Sequence, residues 1–122
     1  MKQLKLFDSE LKVMELLWEN DGITAKELSL LANDRIGWNK NTTYTVIKKL
    51  VAKKVIKRSE PNFMCHALVN RDDVSFAETK GLIDTFFDGS VKTLFSSFLS
   101  KEKLSDSEIS ELKKMIDDYD TK

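Results

Sequence analysis

A long basic segment without any acidic residue is the part of the chain with the clearest chemical character. From Arg35 to Arg58 this basic segment carries eight lysine and arginine residues, and no aspartate or glutamate lies between Asp34 and Glu60. The whole chain has a formal net charge of zero, so the basic segment is a local separation of charge. Such a separation indicates an anionic partner.

The basic segment also contains side chains of the kinds that contact DNA. Within residues 38–50, four positions recur at the spacing of one helix face and are predicted to point inward: Thr43, Val46, Ile47 and Leu50. The opposite face then carries amide, hydroxyl and ammonium groups, which can pair with base edges and phosphates. The residues predicted to bind DNA on and beside this helix are Asn39, Lys40, Asn41, Thr42, Tyr44, Thr45, Lys48 and Lys49.

Other interpretations of the same basic surface stay open at the level of sequence. A lysine-rich helix can be a solvated surface, and the basic face of a small domain can bind an acidic protein instead of DNA. Lys57 and Arg58 fall on a predicted strand, where they either clamp flanking phosphates or keep a strand edge from pairing with another chain. The mixture of Asn, Thr and Tyr with Lys favours double-stranded DNA as the partner.

Two helices are predicted ahead of the helix in the basic segment. The first covers residues 8–19, with Asp8 or Ser9 available as its N-cap. The second begins at Thr24, which has the spacing of a capping box to Glu27.

Two short strands are predicted after the third helix. They cover residues 55–59 and 63–68, with Pro61 in the tight turn between them. Three helices followed by a hairpin is the order of a winged helix, in which the second and third helices form a helix-turn-helix. The predicted fold class is therefore mainly α with a small β-hairpin, with an N-terminal winged helix-turn-helix in residues 1–70 and a C-terminal three-helix dimerisation region in residues 71–122.

The C-terminal half has the opposite charge balance and a high content of large apolar residues. Residues 71–122 carry eight Lys or Arg against twelve Asp or Glu, a net charge of −4, whereas the preceding part carries twelve against eight, a net charge of +4. Three short amphipathic helices are predicted in this half, starting at Asp72 or Asp73, at Ser90, and at Ser105, which opens a capping box.

The three C-terminal helices are predicted to form the interface of a homodimer. Helices of this length bury too little apolar surface when they pack only on each other, so a second copy of the chain is expected to cover them. The side chains predicted to lie in this interface are Leu82, Phe86, Phe87, Val91, Leu94, Phe95, Phe98, Leu112 and Ile116.

No catalytic, metal or cofactor site is predicted. Cys65 and His66 are the only cysteine and histidine, too few for a disulfide or a four-ligand zinc site, and as neighbours on a strand they point to opposite faces. Trp18 and Trp38 are expected to be core anchors. A phosphate loop, a nucleophile elbow and a signal or membrane-spanning segment are all missing from the pattern, which predicts a cytoplasmic protein that is not an enzyme and has no membrane partner.

Four segments share their residues and their order with one known family. They cover residues 10–18, 24–28, 38–53 and 99–112, and the third, WNKNTTYTVIKKLVAK, is the most informative. In these segments the chain resembles the penicillinase-repressor (BlaI/MecI) family of winged-helix regulators. The resemblance implies a homodimeric repressor that binds inverted-repeat operator DNA, controls β-lactam-resistance or related genes, and is inactivated by a regulatory protease.

The resemblance also identifies positions where this chain departs from the family. The implied cleavage falls between Ser97 and Phe98, where the best-known members have Asn-Phe. Lys40 replaces the usual proline after the helix cap, and Lys54 replaces the usual glycine at the helix end, so the turn into the hairpin is expected to differ. The C-terminal cysteine cluster of copper-responsive relatives is missing after Cys65, which disfavours copper sensing.

Overall fold

The computed structural model describes residues 5–119, and the elements in that range confirm the predicted fold class. Helices dominate, and a small antiparallel sheet follows the third helix in the order of a winged helix. None of the helices described is both long enough and apolar enough to cross a membrane. The elements are α1 (Asp8–Glu19), β1 (Ile23–Thr24), α2 (Ala25–Arg35), α3 (Lys40–Ala52), β2 (Ile56–Ser59), β3 (Met64–Ala67), α4 (Arg71–Phe86), α5 (Val91–Lys101) and α6 (Asp106–Asp117).

The sheet contains a strand that the sequence pattern did not predict. Its order is β1-β3-β2, and both neighbouring pairs are antiparallel. Cys65 on the central strand pairs with Ile23 on one side and with Arg58 on the other. Because β1 is two residues long, it shows no alternation of apolar and polar residues from which a strand can be predicted.

The apolar core lies among α1, α2, α3 and the sheet. The four α3 positions predicted to point inward are all buried, and Ile47 and Leu50 are fully inaccessible. The two tryptophans pack against this core while staying partly exposed, as expected of anchors. Trp18 also donates a hydrogen bond from Nε1 to the carbonyl oxygen of Val69 at 3.0 Å. The core therefore determines which face of α3 remains outside.

Several predicted helix caps are confirmed. The Glu27 amide donates a hydrogen bond to the Thr24 hydroxyl at 3.0 Å, and the Thr24 amide donates one to the Glu27 carboxylate at 2.9 Å. Asn39 caps α3 through a 2.8 Å bond from the amide of Thr42. Ser90 and Ser105 cap α5 and α6 in the same way.

The predicted starts of two helices need correction. Phe7, not Asp8 or Ser9, is the N-cap of α1, because the Glu10 carboxylate reaches back and accepts the Phe7 amide at 2.8 Å. Helix α4 starts at Arg71, one or two residues before the predicted start at Asp72 or Asp73. There the side-chain oxygen of Asn70 accepts the Asp73 amide at 2.8 Å, and both aspartates lie in the first turn, where the helix dipole favours negative charge.

A partly buried ion pair joins the start of α1 to the end of α3. The Glu10 carboxylate is 2% exposed and lies 2.7 Å from Nζ of Lys53. The same ammonium group donates to the carbonyl oxygen of Lys5 at 3.1 Å and lies 4.7 Å from the centre of the Phe7 ring. These contacts hold the Lys53 ammonium group within the fold, so its charge is not available to a partner.

Lys54 occupies the left-handed position that closes α3. Its φ is +65°, and the amides of Lys54 and Val55 bond to the carbonyls of Val51 and Leu50 at 3.0 and 2.9 Å. These two bonds form the Schellman arrangement in which glycine is the usual residue. The lysine therefore adopts the conformation that glycine prefers, and the difference expected between this turn and that of the family stays a prediction.

The chain divides into two compact units between Thr79 and Lys80, within α4. The first unit contains the core described above. In the second unit, α5 and α6 contain no buried residue, so their apolar side chains lack the cover that the first unit gives to its own. The predicted division into domains at residues 70 and 71 stays a prediction.

We expect Lys54→Gly to raise the free energy of unfolding by about 0.5–1 kcal/mol. Glycine removes the steric cost of a left-handed residue, about 1–2 kcal/mol, and part of this gain is lost to the greater entropy of glycine in the unfolded chain. Urea unfolding followed by circular dichroism measures the change. Lys54→Ala is the matched control, since it removes the charge but keeps Cβ; an equal gain in that variant would assign the effect to charge instead.

Candidate nucleic-acid interface

The outward face of α3 carries seven of the ten residues predicted to bind DNA. Asn39 at the cap and six residues of the helix are exposed: Lys40, Asn41, Thr42, Thr45, Lys48 and Lys49. They are exposed because a helix that buries the positions 43, 46, 47 and 50 on one side must turn the remaining positions away from the core. This set of seven residues is called the α3 face below.

Hydrogen bonds within the helix decide which groups of the α3 face can still bind a partner. The Asn39 side-chain oxygen is used by the Thr42 amide, so Asn39 offers its NH₂ group. The Thr45 hydroxyl donates to the carbonyl oxygen of Asn41 at 2.9 Å, which leaves its oxygen as an acceptor. Lys40 in place of a proline adds a backbone N–H to the first turn, where amides can bind phosphate.

The structure separates the paired from the unpaired cations of the basic segment. Arg35 pairs with Glu19 at 3.7 Å, Lys53 with Glu10 and Arg58 with Glu60. Within residues 5–119 the other five have no ion-pair partner: Lys40, Lys48, Lys49, Lys54 and Lys57. Three of these five lie on the α3 face, which therefore keeps a net positive charge.

A shallow open groove runs beside the start of α3. Its walls are Ser9 from the first turn of α1 together with Asn39, Asn41, Thr42, Thr45, Val46 and Lys49. Sequence reasoning considered Ser9 only as a cap of α1, and no local signal marks it as a neighbour of α3. Because its side chain is polar and lines the same groove as the α3 face, Ser9 is added to the candidate interface.

Tyr44 departs from the predicted arrangement. Contrary to the prediction that it points outward, its side chain is half-buried, because position 44 flanks the buried position 43 and turns towards the hairpin. Its ring meets the ring of Phe63 edge-to-face, with centroids 6.1 Å apart and planes at 85°. Nζ of Lys40 lies 5.7 Å from the centre of the Tyr44 ring. Phe63 was not among the predicted site residues.

The hairpin places both of its predicted basic residues on the surface. Lys57 and Arg58 are exposed on β2. Arg58 bonds to the Glu60 carboxylate through Nε, and its guanidinium carbon lies 3.7 Å from the centre of the Phe63 ring. The hydrogen bond from Arg58, followed by one from the Phe63 amide, lowers the pKa of Glu60 below its usual value, so this carboxylate stays ionised at neutral pH.

Cys65 and His66 lie in the hairpin without forming a reactive pair. The thiol is buried, and the loss of solvent raises the pKa of Cys65 to about 11, so at neutral pH it remains protonated. His66 is half-buried, and its Nε2 lies 3.4 Å from the Ser59 hydroxyl. Across residues 5–119 no three His, Cys, Asp or Glu side chains come together as a metal site.

Most of the side chains predicted for dimerisation are exposed on the C-terminal helices. Phe87, Leu94 and Leu112 are half-buried, whereas six are exposed: Leu82, Phe86, Val91, Phe95, Phe98 and Ile116. The largest exposures are those of Phe86, 73%, and Ile116, 69%. Leu99 in α5, Met115 in α6 and Tyr119 just after α6 are exposed as well, so exposed apolar side chains occur beyond the predicted set. Ser97, beside Phe98 at the implied cleavage point, is half-buried in α5.

Comparison with known proteins gives one consistent result. The model of the penicillinase repressor family matches residues 6–118. Among curated relatives, the penicillinase repressor of Staphylococcus aureus is 27% identical over 99% of this chain and 98% of its own length. The methicillin resistance regulatory protein MecI of Mammaliicoccus sciuri is 27% identical over 94% and 95%, and the penicillinase repressor of Bacillus licheniformis is 24% identical over 98% and 95%. Because the match extends from α1 to α6, the chain belongs to the penicillinase repressor family.

Proposed function

We propose that this protein is a transcriptional repressor that binds double-stranded operator DNA as a homodimer. In this proposal α3 is the recognition helix and enters the major groove, while the β2–β3 hairpin is the wing and lies along the flanking backbone. The observation that carries the proposal is the α3 face, where ammonium, amide and hydroxyl groups lie together and no lysine has an ion-pair partner among residues 5–119. The major groove presents the donors and acceptors that these groups can read.

The α3 face divides into groups suited to bases and groups suited to phosphates. Thr45 offers an acceptor oxygen and a methyl group, and Asn41 offers a full amide, so both can read base edges. Lys48 and Lys49 carry unpaired charges that neutralise phosphate whatever the base sequence. Specificity and affinity are therefore expected to come from different residues of one helix.

The regulated genes are proposed from the names of the relatives. They are called penicillinase repressors and methicillin resistance regulatory proteins. We infer that this chain controls β-lactam-resistance or related genes and that it is a regulator rather than an enzyme. The inference rests on a match across nearly the full length of both chains.

Dimerisation is proposed from the apolar surface of the C-terminal helices. Side chains such as Phe86, Phe98 and Ile116 expose large apolar areas that water solvates poorly. A second copy of the chain offers the same surface, so a two-fold interface can cover both. A two-fold dimer also matches an inverted-repeat operator, because each half-site then meets one recognition helix.

We expect Thr45→Ala and Lys48→Ala to weaken DNA binding in different ways. Removing a base contact at Thr45 should cost about 1–3 kcal/mol on the operator and little on random DNA, whereas removing Lys48 should weaken both and lower the salt dependence by about one phosphate contact. Fluorescence anisotropy titrations at several salt concentrations, on an operator selected from a random duplex library, measure both effects.

Lys114→Ala is the control for these titrations, because Lys114 lies on α6 in an ion pair with Asp118 and should affect neither duplex. Equal losses for Thr45→Ala and Lys48→Ala on all duplexes would remove the base-reading role of Thr45. If the selection yields no preferred duplex and the protein binds acidic proteins, the repressor proposal is wrong and the alternative holds: a winged-helix module that binds an acidic protein partner.

Phe86→Glu in the full-length chain should produce monomers. A buried phenylalanine contributes about 1.5–3 kcal/mol per protomer, so losing it in both copies and adding two like charges should weaken the dimer at least a hundredfold. Phe76→Glu is the control, because Phe76 is 71% exposed on the same helix but lies outside the predicted interface. Sedimentation equilibrium measures both; a wild-type chain that sediments as a monomer at micromolar concentration would contradict the proposal.

Cleavage between Ser97 and Phe98 belongs to the proposal as the means of release. The bond lies inside α5, and proteases bind extended chain, so this helix has to open before it can be cut. Because α5 has no buried residue, opening it sacrifices little packing within the chain. Cutting there separates α6 from the rest of the dimer surface, so one dimer no longer binds two half-sites together. The operator affinity then loses the gain from joint binding, typically a factor of about 10² or more.

In cells that carry this protein, a β-lactam should convert the full-length chain to a fragment ending near Ser97 as operator occupancy falls. Immunoblots and chromatin immunoprecipitation follow the two quantities over the same time course. Phe98→Asp, which changes the residue after the cut, should keep the chain intact. Loss of occupancy while the wild-type chain stays full length would refute release by cleavage.

A further inference from the structure

We propose that Phe63 is a positioning residue for DNA binding, which braces Arg58 of the wing and Tyr44 of the recognition helix against one ring. The inference rests on the proposed function and names a component of it that the sequence pattern does not mark. Phe63 lies within the hairpin just before β3, and its ring contacts one side chain from each of the two elements that are proposed to contact the duplex.

The backbone at Phe63 adopts a conformation that aromatic residues rarely take. Its φ is +53°, in the left-handed region, directly after Asn62 at +73°. The Phe63 amide is bonded to the Glu60 carboxylate at 3.3 Å, and the ring packs on the edge of the core, half-buried. A bulky residue in this region is held by its surroundings, and here the result is a ring that faces both Arg58 and Tyr44.

The ring and the Glu60 carboxylate together hold the Arg58 guanidinium. One face of the guanidinium stacks on the ring with Cζ 3.7 Å from its centre, and Nε bonds to Glu60. The two terminal nitrogens have no hydrogen-bond partner within residues 5–119. Arg58 thus offers its outer edge, the pair of N–H groups that matches a phosphate, with its rotamer already restricted.

Restricting Arg58 before binding favours the complex. A long arginine side chain that moves freely in the unbound protein loses rotamer freedom when it binds phosphate, and this loss opposes association. The stacked arginine has lost that freedom in the free protein. Because the same ring contacts Tyr44 at the edge, the brace also ties the wing arginine to the recognition helix.

The ion pair also allows an alternative to positioning, in which Glu60 neutralises the charge of Arg58 and keeps Arg58 from binding DNA. The exposed edge favours positioning, since the carboxylate occupies only Nε and leaves the terminal nitrogens open. The positioning role predicts that removing the uncharged Phe63 ring weakens the salt-dependent contact between Arg58 and phosphate.

The test uses Phe63→Asn in the full-length protein. Asparagine tolerates the left-handed conformation and changes no charge, so the substitution removes the ring while keeping the turn. A labelled mixed-sequence duplex of about 24 base pairs is the probe, because phosphate contacts do not depend on base sequence. Anisotropy titrations over a series of salt concentrations give the affinity and the slope of log affinity against log salt.

We expect Phe63→Asn to weaken binding about tenfold at low salt and to lower the salt slope by about one phosphate contact, as Arg58→Ala does. The double variant should have the same salt slope as Arg58→Ala alone, because both changes remove the same phosphate contact. Phe63→Tyr keeps the ring and should restore affinity and slope. Lys48→Ala, which lies outside the brace, should add its loss in full to that of Phe63→Asn.

Weakened binding with an unchanged slope would show that the ring supports the fold without positioning Arg58, and would overturn the inference. Arg58→Ala with an unchanged slope would overturn it as well. A wild-type chain that fails to bind the duplex at low salt would refute the proposed function. Wild-type binding that does not change on substitution of Phe63 would instead overturn only the inference about Phe63. Thermal unfolding of every variant confirms that the compared proteins are folded.

Discussion

The packing of α3 against the N-terminal core is the constraint on which the rest of the structure depends. Burial of Ile47 and Leu50, with Thr43 and Val46 beside them, determines the rotation of this helix about its axis. With about 3.6 residues per turn, that rotation leaves Asn41, Thr45 and Lys48 outside. A change that altered the rotation would disturb the core and the α3 face together, so stability and the chemistry of the surface are coupled in one element.

Electrostatic pairing then selects which cations stay available. The buried Glu10 carboxylate engages Lys53 and ties the start of α1 to the end of α3, which removes one of the eight basic residues from the surface chemistry. Glu60 engages Arg58 through a single nitrogen and leaves the outer edge of the guanidinium open. The same type of contact therefore has two results, because the Glu10 carboxylate is buried and the Glu60 carboxylate is exposed.

The two units of the chain differ in how much of their apolar surface they bury. The first encloses residues such as Met14 and Leu28 completely. The second leaves Phe86 and Ile116 largely exposed, which is unfavourable in water and favours association. Under the proposed function this division has a use: loss of the association lowers operator affinity while the recognition helix stays folded.

Local sequence signals were sufficient for the winged-helix order, for the caps at Thr24 and Asn39, and for the inward face of α3, because each depends on residues within one or two turns. Strand β1, the pairing of Lys53 with Glu10, and the approach of Phe63 to Tyr44 and Arg58 were not predictable in this way. These features join residues far apart in the chain, and their partners are chosen by how the elements pack. The sequence by itself determined which side chains α3 turns outward, except Tyr44, since helical periodicity suffices for the others. The tertiary structure alone decided that Tyr44 turns towards the hairpin, which cations remain free and which ring supports the wing arginine, since ring contacts and ion pairs depend on distances that packing sets.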